Sequence, residues 1–162
     1  MVLRKRRIIT KPSCVELFTG AGGLMLGLEM AGFHTILAND VHPDPCKTIM
    51  RNFPKTPIIN QSIINLSGQD LLHHANLKDF VSEEIDLIAG GPPCQGFSNA
   101  GMKNPKDPRN TLIGQFIRIV DELKPRFFLM ENVTGLKTMY EGKLFERVLN
   151  EFENINYQFH WK

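Results

Sequence analysis

The chain has 162 residues, 42% of them hydrophobic and 22% charged, an ordinary globular composition for one domain with its own core, which excludes a disordered or low-complexity class. A formal net charge of +2 is too small for overall balance to establish a nucleic-acid partner, although Arg4-Lys5-Arg6-Arg7 is a local basic cluster able to touch phosphates. Cys14, Cys46 and Cys94 are widely spaced with no Cys-x-x-Cys pair, which argues against a zinc site and a disulfide framework and fits a reducing, intracellular compartment; no apolar run approaches membrane-spanning length.

Residues 1–12 read as a mobile basic lead-in. Ser13 to Phe18 is a short apolar strand that ends in the glycine loop Thr19-Gly20-Ala21-Gly22-Gly23, and Leu24, Leu28 and Ala31 recur at helical spacing until Gly32 stops the helix. Thr35 to Ala38 is a second strand with Asp40 just past its end, where nucleotide-binding α/β folds place a ribose-binding acid. Cys46, Ile49, Met50 and Phe53 keep a three-to-four residue period that predicts a helix over 44–52, and Ile58-Ile59 a third strand. The stretch 67–80 is the least regular, helical around Leu71 and Leu72; His73 and His74 are adjacent, so they do not share a helix face and metal binding is not expected.

Ile85 to Ala89 predicts a fourth strand leading into Gly90-Gly91-Pro92-Pro93-Cys94-Gln95-Gly96-Phe97-Ser98, and 98–108 reads as a flexible lid. Asp107-Pro108 opens a helix whose buried stripe is Leu112, Phe116, Ile119, Val120 and Leu123, stopped by Lys124-Pro125. Arg126 to Met130 is a fully apolar fifth strand delivering Glu131 at its end. Thr138-Met139-Tyr140-Glu141 has the capping-box pattern for a last helix, and 156–162 alternates like a strand. Strands alternating with helices predict a Rossmann-like, mostly parallel sheet with helices on both faces. Phe18 to Gly23, Asp40, Cys94 and Glu131 would then share the rim at the carboxyl ends of the strands.

Two prolines fix two φ angles just before Cys94 and remove two backbone donors, so the loop holds its thiol with little freedom, as a nucleophile requires. A cysteine taken alone is more often a packed core residue. The glycine loop is not a dinucleotide fingerprint either, since a third glycine would fall at Met25. Four segments in one order carry more weight: Glu16-Leu17-Phe18-Thr19-Gly20-Ala21-Gly22-Gly23, the Pro92-Pro93-Cys94 loop, Asp107-Pro108-Arg109-Asn110-Thr111-Leu112, and Met130-Glu131-Asn132-Val133. Together they resemble the cytosine-C5 DNA methyltransferase family from about Ser13 to the last residue.

The resemblance implies a methyl group passed from S-adenosylmethionine to C5 of a cytosine flipped out of duplex DNA, as in restriction-modification, in the cytoplasm and nucleoid-associated when bound to DNA. It implies Cys94 as the nucleophile that adds to C6, and Glu131 as the acid that protonates N3, helped if an apolar strand raises its pKa. Gly20, Gly22 and Gly23 would take the amino-acid end of the cofactor, Phe18 and Leu112 the adenine, and Asp40 the ribose; Arg109 would hold loop or phosphate contacts. Two positions depart from the family: Asp40 stands where glutamate is common, and Ser62 where an acid meets the adenine amino group, which implies altered cofactor affinity. Residues 13–162 then correspond to the N-terminal part of a catalytic domain, without the later Gln-x-Arg-x-Arg segment, the target-recognition domain, or the strand that finishes the sheet. An open sheet edge implies a C-terminal complementing subunit or further polypeptide. Methylation of transfer RNA and a non-catalytic regulatory subunit are the alternatives.

Overall fold

The computed structural model describes residues 11–75, 85–93 and 111–161. Five parallel strands, β1 (Ser13–Leu17), β2 (His34–Asn39), β3 (Ile58–Ile59), β4 (Leu87–Gly90) and β5 (Phe127–Met130), lie in the order β3-β2-β1-β4-β5. The chain winds outward from β1 in one direction and from β4 in the other, so the order reverses between these two strands, where α/β sheets open a ligand crevice. Every residue of β1 is buried, as expected of a parallel strand covered on both faces.

Alternation along β1 divides the core in two. Cys14 faces helix α1 (Gly23–Met30), where Leu28 packs with Leu87 and Ala89, and beside it Met25 and Ala38 meet Ile49 of helix α2 (Pro43–Asn52). Val15 and Leu17 face the larger cluster on the other side. It is built with Leu71 of helix α3 (Gly68–His74) and Phe116 and Val120 of helix α4 (Thr111–Leu123). Beyond the short helix α5 (Gly135–Thr138), Val148 and Phe152 of helix α6 (Lys143–Asn154) complete that cluster.

The expected strands and helices are present with shifted ends, and four features differ from the sequence reading. A 3-10 turn at Ile63–Asn65 precedes α3, which starts on a Ser67/Asp70 capping box. The last helix does not begin at the Thr138 pattern. Glu141 (φ 59°) and Gly142 (φ 84°) are both left-handed, so the chain turns there and α6 starts at Lys143. Although β5 is apolar, it forms the sheet's outer strand, with Phe127 61% and Leu129 42% exposed.

Residues 156–161 are not a strand, because no described neighbour offers them a ladder. Asn156 is left-handed (φ 67°), and the Tyr157 hydroxyl donates to the Pro125 carbonyl at 2.5 Å. Trp161 packs edge-on against Phe145, and Phe159 lies tilted against Trp161. The expected lead-in falls outside the described residues except for its last two, of which Pro12 accepts a hydrogen bond from the His34 amide, and the expected lid at 98–108 lies outside them as well.

Candidate functional site

The glycine loop is held in a left-handed path by the end of β2 and by α2. Phe18 (φ 55°), Gly20 (φ 52°) and Gly22 (φ 90°) are all left-handed. A Cβ on Gly22 would collide with the Ile49 Cδ1 atom and sit 3.2 Å from the Phe53 ring, so only glycine allows α2 to pack under this turn. Thr19 donates its amide to the Asn39 carbonyl at 3.1 Å, tying the loop to the end of β2.

Asp40 completes that tie. One carboxylate oxygen accepts from the Gly20 amide at 2.8 Å and the other from the His42 amide at 2.8 Å, so this buried acid fixes the turn after β2 and the glycine loop together. Asn39 acts likewise on the next turn, donating to the carbonyls of Ile59 and Gln61 at 2.9 Å each.

Phe18, Asp40, Ser62 and Leu112 line one cavity of about 490 Å³, within the ~300–1,000 Å³ typical of small-molecule sites. Gly91 and Pro93 line it too, which links this cavity to the start of the cysteine loop. Gly20, Gly22 and Gly23 do not line it; they shape the turn beside it. The far wall hangs on α4. Arg118 donates to the carbonyls of Ile63 and Leu66 at 2.9 Å each, and Glu122 accepts from the Gly68 amide at 2.5 Å. Val41 and His42 also line the cavity, and sequence reasoning assigned neither a role.

At the neighbouring strand end, the Glu131 amide donates to the Gly90 carbonyl at 3.0 Å, so the β4/β5 ladder carries Glu131 alongside the loop. A Cβ on Gly91 would lie 3.0 Å from Glu131 Oε2, so this glycine lets the carboxylate rest against the loop backbone. Asn132 donates to the Pro92 carbonyl at 3.0 Å and accepts from the Val133 amide, pinning the loop two residues before Cys94. Glu131 is exposed, so the described residues do not form the apolar enclosure expected around it. Cys94 and Arg109 lie outside the described residues.

One buried acid received no role from sequence reasoning. Glu16, 1% exposed in the middle of the sheet, has its pKa pushed up to about 7 by burial, against the opposing pull of the Thr19 hydroxyl and the Met25 amide. Its Oε2 atom and the Thr19 hydroxyl are nevertheless both buried without a hydrogen-bond partner, so these groups stand near the carboxyl without closing full bonds on it. An acid in an otherwise apolar strand was the available signal. Burial, reinforced by the negative charge of Glu16, pushes the neighbouring Cys14 thiol up to about 12 and keeps it protonated. Among the described residues no group of three or more His, Cys, Asp or Glu is placed to hold a metal ion, and no helix is long and apolar enough to cross a membrane.

A parallel sheet reversing at β1 and β4, with a ligand cavity at that reversal, defines the Rossmann-like fold of S-adenosylmethionine-dependent methyltransferases. Residues 13–162 match the family model described as C-5 cytosine-specific DNA methylase, and the chain belongs to that family, whose methyl donor is S-adenosylmethionine. It is 41% identical over 147 residues to the Type II methyltransferase M1.HphI of Haemophilus parahaemolyticus, covering 89% of this chain and 38% of that protein. Against M.XorII of Xanthomonas oryzae pv. oryzae the identity is 39% over 149 residues, covering 92% and 34%. Among solved structures, a prophage-encoded Escherichia coli protein described as a DNA modification methyltransferase superposes with a TM-score of 0.74 at 33% identity, over 88% of this chain and 38% of that one. Spodoptera frugiperda DNMT2 gives 0.61 at 29%, over 86% and 41%. The chain spans well under half the length of these proteins.

Proposed function

We propose that this chain is the cofactor-binding and nucleophile-bearing part of a DNA cytosine-C5 methyltransferase. The observation that carries the reading is the meeting, at one sheet rim, of the Phe18, Asp40 and Leu112 cavity with the Gly91, Pro92 and Glu131 contacts that lead into Cys94. The cavity suits the nucleoside of S-adenosylmethionine, with an aromatic ring and Leu112 for the adenine and Asp40 for the ribose hydroxyls, and the glycine turn beside it would take the amino-acid end. Each Asp40 oxygen already holds one backbone amide, so the ribose would use the remaining lone pairs. When bound, this cofactor supplies an electrophilic methyl group on a sulfonium.

Cytosine C5 is a poor nucleophile until a group adds at C6. In this reading the Cys94 thiolate forms the bond to C6, electron density moves toward C5 and N3, and Glu131 donates a proton at N3. Once C5 carries the methyl group, loss of the C5 proton, elimination of the Cys94 thiolate and return of the N3 proton to Glu131 restore the aromatic ring and the free enzyme. A flipped base gives access to both of its faces. Asn132, by holding the Pro92 carbonyl, keeps the loop in register with Glu131.

The reading includes further polypeptide beyond these 162 residues. Among the described residues the outer side of β5 is unpaired, and Phe127, Leu129, Phe145, Phe159 and Trp161 line a groove of about 590 Å³ along it. An extended segment added there would continue the sheet and cover the exposed rings. The site of action would be the cytoplasm, on the nucleoid when DNA is bound.

Trapping on duplex DNA containing 5-fluorocytosine, with S-adenosylmethionine, tests the mechanism. The chain is assayed alone and with the C-terminal remainder of a close relative. An adduct lost in Cys94→Ser supports the reading, and dependence on the added polypeptide supports the completed sheet. Adduct on RNA but not on DNA would move the substrate to RNA, and no adduct despite cofactor binding would make this a non-catalytic subunit.

A further inference from the structure

Glu16 is a buried carboxyl for which the proposed chemistry has no use, and its surroundings describe a group poised between two charge states. It sits at the carboxyl end of β1 beneath the first turn of α1, which begins on Gly22 with no capping side chain and has no acid of its own in that turn. The free amides there favour a nearby negative charge. Against this stand its near-complete burial and an Oε2 atom that, like the Thr19 hydroxyl above it, has no partner.

The ionisable groups on the neighbouring elements do not settle the balance. Cys14, on the same face of β1, stays a neutral thiol. From α1, Glu29 is engaged with the Thr35 amide; from the end of β2, Asp40 holds the Gly20 and His42 amides; from α2, Cys46 lies against the Asp40 carbonyl. No cationic side chain among the described residues contributes to the titration of Glu16. A positive ligand in the glycine turn would therefore meet a buried acid with a carboxyl oxygen that no described residue engages.

We infer that Glu16 is a positioning residue whose ionisation is coupled to the glycine turn: neutral when the turn is empty, anionic when a ligand carrying ammonium and sulfonium charges occupies it, so that cofactor binding releases a proton. The carboxyl loses its O–H proton to solvent and the new negative charge draws on the α1 amides and the Thr19 hydroxyl. The residue acts through the loop rather than by lining the cavity. The inference rests on the reading of that cavity as the S-adenosylmethionine site.

Calorimetric titration of the 162-residue chain with S-adenosylmethionine, at pH 6.5 in buffers of different ionisation enthalpy, counts the protons exchanged. The wild-type chain is expected to release roughly 0.7 proton per ligand, from a group that starts near pKa 7 and ends fully ionised. Glu16→Gln, which keeps the shape without the charge, is expected to lose that release. S-adenosylhomocysteine, which lacks the sulfonium, is expected to release fewer protons than the cofactor itself.

No wild-type binding at any pH would overturn the cofactor reading and this inference with it. Binding with the same proton count in Glu16→Gln would overturn the inference alone. A carbon-13 titration of the Glu16 carboxyl in the unliganded wild-type chain needs no variant to fold: a midpoint near neutral that falls when cofactor is added supports the coupling, and a carboxyl already ionised at pH 6 refutes it.

Discussion

Replacing Glu16 with glutamine should stabilise the chain, and by an amount that grows with pH. The carboxyl titrates at about 7 in the folded chain against an ordinary 4.5, so the folded state holds its proton more tightly than the unfolded state does. Its contribution is therefore most favourable below about pH 4.5 and is lost progressively as pH rises through 7. At 1.36 kcal/mol per pH unit, the loss between pH 5 and pH 8 comes to about 2.5 kcal/mol. Glutamine has no charge to bury, and its amide can donate to the Thr19 hydroxyl while its oxygen faces the Met25 amide. Urea unfolding of both proteins at half-unit steps from pH 5 to pH 8 should give midpoints that diverge, equivalent to roughly 7 °C in Tm at pH 8 for a domain of this size. Parallel stability curves would mean that the carboxyl is solvated or ionised throughout, and the argument from its burial would fall.

Gly22→Ala should destabilise the chain by roughly 1–3 kcal/mol and weaken cofactor binding at least tenfold, because its Cβ meets Ile49 from a left-handed backbone; thermal unfolding and calorimetry measure the two effects. Asp40→Ala removes the acceptor of both the Gly20 and His42 amides and should abolish measurable cofactor binding, whereas Asp40→Asn keeps one acceptor and should bind more weakly but detectably. Asn132→Ala should lower cofactor affinity less than it slows 5-fluorocytosine adduct formation, by about tenfold or more, since it frees the Pro92 carbonyl without removing a residue that lines the cavity. Phe127→Lys should cost the isolated chain under about 0.5 kcal/mol, given its exposure, yet impair association with a sheet-completing segment in a pull-down.

Strand and helix identities were legible because each alternating apolar run sits between strong breakers, from Gly20 to Pro125. That Phe18, Asp40 and Leu112 would meet was legible for a related reason: each sits at an element boundary that the topology carries to the rim of one cavity. Glu16 was read only as part of a motif, since its significance depends on a depth that β1 acquires from strands more than 60 residues further on. The Thr138 capping pattern misled because a local pattern does not reveal that Glu141 and Gly142 turn left-handed and interrupt the run. The alternation over 156–161 marks residues suited to a sheet, but a strand requires a neighbour, and none of the described residues supplies one.

Arg118 ties the two walls of the cavity at the strand ends to one lever. Leu112 rides on the first turn of α4, and the segment carrying Ile63 is gripped by Arg118 about two turns further along the same helix. A small roll of α4 about its axis would therefore shift both walls in concert, making the width of the slot a single mechanical coordinate. Substitutions buried under α4 are thus able to tune how snugly the slot clasps an occupant without altering a residue that touches it.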